Sequence, residues 1–342
     1  MISTPETCNI LGMATSHLLT FEAFPESVVF EGFGEGFLRG LGGFLARVET
    51  GGADATAYRV VVEGGAALRR AAASGRPLRR RPWRRHVRRD GEDLVVMPGG
   101  HVRLAPGQAK AVVEWTDAVA PVDGFVAITL LEIAMSHALA LRGYVVNHAA
   151  AIEIDGAALL AVGPTHTGKS TLSAAALAAG GAVVSDDSVI LGFDGDGAPA
   201  AGALRRDLWL RDGSVGLLPV TLRTRLWETA SFGERRWGLE RAAFPGLFRA
   251  RVEPQAIVLV RRDLRVRGFR LRRVSSADGL AGLILASSAL FLSGRYPVER
   301  ERCMPGLVAL ANGAPCFEVR MGRALVDEPA ATVRRLVEAV CS

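Results

Sequence analysis

The segment Gly163-Pro164-Thr165-His166-Thr167-Gly168-Lys169-Ser170-Thr171 sets two glycines, a lysine and the hydroxyl residue Ser170 in the spacing G-x-x-x-x-G-K-[ST]. Those types in that order suit a polyphosphate. Glycine allows successive backbone N–H groups to turn inward onto phosphate oxygens. The Lys169 ammonium is a compact charge for β- and γ-phosphates, and the Ser170 hydroxyl is a ligand for Mg²⁺. A few residues on, Asp186-Asp187 follow an apolar run. An acid there can hold the metal or its water shell, or take the proton of an attacking hydroxyl. The two acids are expected to alternate across a strand end, one toward metal and one toward acceptor. His148, beside apolar residues, has no role on its residue type alone.

The flanking segments are of the kind that could position such a loop. Ala157 to Val162 is a short apolar run of strand length leading straight into Gly163. Ser170 to Ala179 is rich in alanine and leucine and stops at Gly180-Gly181, so a helix is expected there. Strand, loop and helix would place a helix N-terminus beneath the phosphates. Upstream, Phe125 to Leu141 is a long apolar stretch with Glu132 and His137 embedded, expected as a buried helix. Tyr144 to Val146, Ala151 to Ile154 and Ala182 to Val184 read as further strands, and Asp155-Gly156 as a hairpin turn. Downstream, strands are expected at Ile257 to Val260, Phe269 to Leu271 and Cys316 to Arg320. Helices are expected at Ala277 to Leu292, Arg302 to Asn312 and Pro329 to Val340.

The stretch Asn147 to Leu191 resembles the catalytic core of the HPr kinase/phosphorylase superfamily, whose fold is similar to that of phosphoenolpyruvate carboxykinases. It carries a histidine, a hairpin, a glycine-rich loop, a helix ending at glycine and a strand closing on Asp-Asp, in the family's order. Where that family has a further glycine inside the loop, this chain has His166. The resemblance implies an α/β fold, with a P-loop-containing mixed β-sheet flanked by helices. It implies ATP- and Mg²⁺-dependent phosphorylation of a serine hydroxyl on a peptide or small protein, a lasso-peptide precursor being one such acceptor. By that resemblance His148, Lys169 and Asp187 are catalytic, Asp187 being the proton acceptor. Gly163 to Thr171 would bind nucleotide, and Ser170 and Asp186 the metal. A small-molecule kinase and a nucleotide-binding regulatory protein are the alternative readings on the same scaffold, and a homo-oligomer is the family's usual assembly.

Length and composition set the frame. A chain of 342 residues accommodates a β-rich N-terminal domain over 1–120 and the kinase-like domain over 121–342. Of 41 basic residues only Lys110 and Lys169 are lysines. Arginine serves almost everywhere else, which marks Lys169 as the place where a point charge suits. Ten arginines fall between Arg69 and Arg89. With no nucleic-acid module around them they read as a solvated connection on a strand edge, not as a nucleic-acid surface. Arg205, Arg206, Arg211, Arg261 and Arg262 likewise read singly as surface residues. The four cysteines, Cys8, Cys303, Cys316 and Cys341, lack metal-ligand spacing. Together with the absence of basic residues in Met1 to Asn9 and of a long uncharged apolar run, they lead to the expectation of a reduced cytoplasmic protein without a membrane span.

Overall fold

The computed structural model describes residues 16–21, 27–31, 46–50, 58–64, 76–81, 84–89, 91–97, 99–115, 124–194, 196–205, 207–231, 234–287 and 291–341. Among these the chain is α/β, with mixed sheets flanked by helices. The first sheet contains β1 (Ser16–Phe21), β2 (Ser27–Glu31), β3 (Ala46–Thr50), β4 (Tyr58–Gly64), β5 (Arg76–Arg81), β6 (Arg84–Arg89), β7 (Glu92–Met97), β8 (Gly100–Leu104) and β9 (Lys110–Trp115). Their order is β3-β1-β2-β4-β9-β8-β7-β6-β5. The arginine-dense segment is therefore not only a connection. Its described part is the antiparallel pair β5–β6 at one edge of this sheet, while residues 69–75 lie outside the described ones.

Next come α1 (Gly124–Ala140), β10 (Val145–Ile154), β11 (Ala157–Val162), α2 (Lys169–Ala178), β12 (Ala182–Ser185), β13 (Ser188–Phe193) and β14 (Pro199–Ala203). After these are β15 (Asp207–Leu210), α3 (Asp212–Val215), α4 (Val220–Arg223), β16 (Trp227–Ser231), β17 (Glu234–Glu240) and β18 (Arg251–Val252). The chain continues through β19 (Ala256–Arg262), β20 (Phe269–Val274), α5 (Ser276–Ala286), α6 (Pro297–Gly313), β21 (Cys316–Met321), α7 (Ala324–Asp327) and α8 (Pro329–Cys341). The second sheet runs β18-β14-β13-β10-β11-β19-β21-β20, and β12 also pairs with β10. β10 and β11 form an antiparallel hairpin whose turn residues Asp155 and Gly156 both have positive φ, the pattern of a type I′ turn. β11, β19 and β21 are parallel, so their C-terminal ends share one edge.

The apolar run of β11 follows from burial on both faces. Leu159 and Ala161 pack toward α2 and α8, whereas Leu160 and Val162 pack toward α1 and the first sheet. Alternation puts every residue into one core or the other. α1 is apolar nearly all round for the same reason, because it lies against β8 and β9 on one side and β10 on the other. Leu130, Leu131, Met135 and Leu139 are fully buried, each contributing about 2–3 kcal/mol. Its embedded His137 is satisfied by two side chains. The Tyr58 hydroxyl lies 2.7 Å from Nδ1, and Nε2 lies 2.9 Å from Glu299 of α6.

Two expectations need adjusting at their ends. The helix expected over Ala277 to Leu292 ends at Ala286, and Ser287 instead forms a β-bridge with Asn147. The helix expected from Arg302 starts earlier, at Pro297, where proline suits the first turn. Among the described residues no helix is long and apolar enough to cross a membrane.

Candidate active site

Residues 163–168 connect β11 to α2, and the chain's two left-handed turns here are separable in cause. Gly168 (φ +106) precedes the first helical residue, and His166 (φ +69) takes a conformation for which glycine is the ordinary solution. Gly163 is required by space: a Cβ there would sit 2.6 Å from the Val260 carbonyl oxygen on β19. Thr167 Oγ1 donates to the Pro164 carbonyl at 2.8 Å, closing the loop on itself. At its far end α2 stops where Gly181 N–H reaches the Ala176 carbonyl and Gly180 N–H that of Leu177, a Schellman closure.

Lys169 is 5% exposed, and its ammonium donates to the Gly163 carbonyl at 2.7 Å and the Pro164 carbonyl at 3.0 Å. Gly163 and Pro164 thus act beneath the cleft, while Thr165 to Thr171 line it. Burial pulls the Lys169 ammonium down to about 8, against the pull of Asp187 and Asp186. An anion with several charges arriving here would raise it again.

Strands β12 and β13 run along the same side of β10, pairing with its residues 151–153 and 145–148 respectively. Asp186 and Asp187 follow the end of β12 directly, and the chain resumes as β13 at Ser188, so the pair fills a break between two strands. Ser185 stabilises the break: its hydroxyl accepts from Ser188 N–H at 3.2 Å and donates to the Ser188 carbonyl at 3.1 Å. Both aspartates line the same cleft as the loop. His148, within β10 and opposite Ser188, places Nδ1 2.7 Å from Asp187 Oδ1. The structure brings His148, Lys169, Ser170, Asp186 and Asp187 around one cavity of about 470 Å³.

The two acids differ sharply. Asp186 is buried, and burial, then the neighbouring Asp187 charge, pushes its carboxyl up to about 7. Among the described residues its Oδ2 has no hydrogen-bond partner. The Asp187 side chain retains 37% of its surface, facing the cavity. Its immediate enclosure alone would raise it, but the His148 hydrogen bond and the Arg205 charge hold it well below the usual carboxylate range.

Arg205, expected as a surface residue, instead belongs to the site. Its side chain is only 14% exposed, pairs with Glu132, and lies 3.2 Å from Asp187 Oδ2. Glu132 also accepts a hydrogen bond from Ser188. Glu132, embedded in an apolar helix, was the available signal: a carboxylate in such a place demands a cation. Nothing local in the sequence identified which cation. Arg211 also reaches the cleft, 2.7 Å from His166 Nδ1, and Arg262 lines it; Arg206 lies outside the described residues.

Ser170 and Asp186 suit Mg²⁺. Ser170 and Asp186 line the cleft together, the Ser170 hydroxyl helps to lower the Asp186 carboxyl, and among the described residues Asp186 Oδ2 is buried and unpartnered. Two hard oxygens side by side, with room for phosphate and water oxygens, match how Mg²⁺ is held. No cluster of three or more histidine, cysteine or carboxylate side chains able to hold a metal occurs among the described residues. Comparison by sequence is silent on the assignment: no protein-family model matches the chain, and no curated protein matches it.

Proposed function

We propose that this protein is an ATP- and Mg²⁺-dependent kinase, a relative of the HPr kinase/phosphorylase superfamily, transferring the γ-phosphate to a serine hydroxyl of a peptide or small protein. One observation carries the reading: Lys169 at the start of α2 and Asp187 in the broken strand face a single cavity, with His148 on Asp187 at 2.7 Å. The serine and peptide part rests on the resemblance of Asn147 to Leu191.

The division of labour follows from the geometry. Loop N–H groups and Lys169 would take the phosphate oxygens, at the positive end of α2. Ser170 and Asp186 would hold Mg²⁺, which when bound offsets phosphate charge. Asp187 receives the acceptor's hydroxyl. Held below the ordinary carboxylate range it is a weak base, and a loose phosphoryl-transfer transition state asks little more of it than orientation until late in the step. His148 and Arg205 keep its two oxygens aimed.

The test is phosphate incorporation from Mg²⁺-ATP, followed by intact mass on a serine peptide or small-protein acceptor. Lys169→Ala and Asp187→Asn should each lower transfer by about a hundredfold or more, with the circular dichroism spectrum unchanged. Wild-type turnover in either variant would remove the assignment.

A further inference from the structure

The cavity extends well beyond the groups that transfer needs. Asp187 and His148 stand on the β10–β13 side of the loop. On the other side lie the C-terminal ends of β19 and β21, which run parallel to β11 and extend two residues beyond the level of Gly163, to Arg262 and Met321. That end of the cavity is lined by Arg262, Leu264, Met321, Gly322, Leu325 and Val326. Met321 and Leu325 are buried and form its floor, whereas Leu264 and Val326 are 51% and 55% exposed. Leu264 and Val326 thus stand beside buried Met321 and Leu325 as an apolar end to a cavity that is polar around the loop, the kind of lining that suits a flat apolar group.

In-line transfer dictates what that is. The acceptor oxygen forms its bond to the γ-phosphorus as the bond to the β-phosphate bridging oxygen breaks, and the leaving diphosphate departs on the opposite side. With the acceptor hydroxyl at Asp187, the rest of the donor must extend away from Asp187, across the loop. The cavity continues in that direction. The geometry points to a donor-nucleoside subsite at the ends of β19 and β21, in which Leu264 and Val326 grip the nucleobase by its faces over a floor of Met321 and Leu325. Arg262, at the end of β19, is placed beside the ribose and α-phosphate. This inference rests on the phosphate-binding reading of the loop and adds the nucleoside's location.

Two probes separate the inference from that reading. Isothermal titration calorimetry with Mg²⁺-ATP and with Mg²⁺-tripolyphosphate, which has the phosphates but no nucleoside, is run on wild type, Leu264→Ser, Val326→Ser and the double variant. Both positions are exposed, so folding should be retained, and circular dichroism checks it. Each single variant should weaken ATP by about fivefold and the double by tenfold or more, with tripolyphosphate affinity unchanged. ATP affinity at wild-type level in the folded double variant would overturn the subsite and leave the loop assignment standing. A parallel loss for both probes would also overturn it, because the residues would then act on the phosphates. Failure of wild type to bind either probe would remove the loop reading itself, and the subsite with it.

Discussion

Asp186 is a carboxylate that the fold holds at a cost, and replacing it should expose that cost directly. Its carboxyl is raised from 3.8 to about 7 by burial and by Asp187, and one of its oxygens is unpartnered. A shift of roughly three pH units corresponds to an upper bound of about 4 kcal/mol of destabilisation when the group is fully ionised. Because the folded value lies above the unfolded one, the folded state binds more protons between the two. The penalty therefore begins as pH rises past the unfolded value and is complete above about 7. Asp186→Asn keeps the shape, can still accept from Ser170 and the Trp209 N–H, and removes the charge. In EDTA, without nucleotide, the variant should have the higher urea midpoint at unchanged slope. Its advantage over wild type should widen by up to about 2.6 kcal/mol from about pH 5 to about pH 8. Mg²⁺-ATP should reverse the order, since only wild type gains metal-linked binding energy. Asp187→Asn should behave oppositely, losing stability above the unfolded carboxylate value, because His148 and Arg205 lose a charged partner. An Asp186→Asn advantage that is absent, or flat with pH, would refute the claim that this acid is a buried charge awaiting a cation.

Arg205→Met should destabilise by about 2–4 kcal/mol, since it leaves Glu132 and Asp187 without their cation, and Arg205→Lys should recover only part; urea midpoints decide. Gly163→Ala should cost about 1–3 kcal/mol and lower Mg²⁺-tripolyphosphate affinity, because its methyl would press on the Val260 carbonyl and shift the loop; calorimetry and thermal melts read both.

Local chemistry was legible where short-range physics governs it. The glycine–lysine–hydroxyl spacing, the apolar run of β11, the alanine-rich α2 and the Asp155-Gly156 turn are each satisfied within a few residues, so their types reveal them. His148 entered the candidate site only through resemblance, because a single histidine carries no spacing signal. The helix expected to reach Leu292 ends at Ala286, where a long-range contact intervenes, the Asn147–Ser287 bridge.

Pairings between distant segments were beyond the linear pattern. Nothing near Asp187 indicates that Arg205 from the far side of β14 and Glu132 from α1 complete its surroundings, because any of 39 arginines could answer a buried carboxylate. Nor could composition tell that Asp186 and Asp187 occupy a break between β12 and β13 and both face the cavity. That depends on both halves pairing with one strand, β10, and on the serine-closed kink between them. Residue types carry the chemistry available to a chain. Which of those groups meet, and how deeply water is excluded from them, is set by packing between segments remote in sequence, and so are the opposite proton affinities of two adjacent aspartates: burial raises Asp186, whereas His148 and Arg205 lower Asp187.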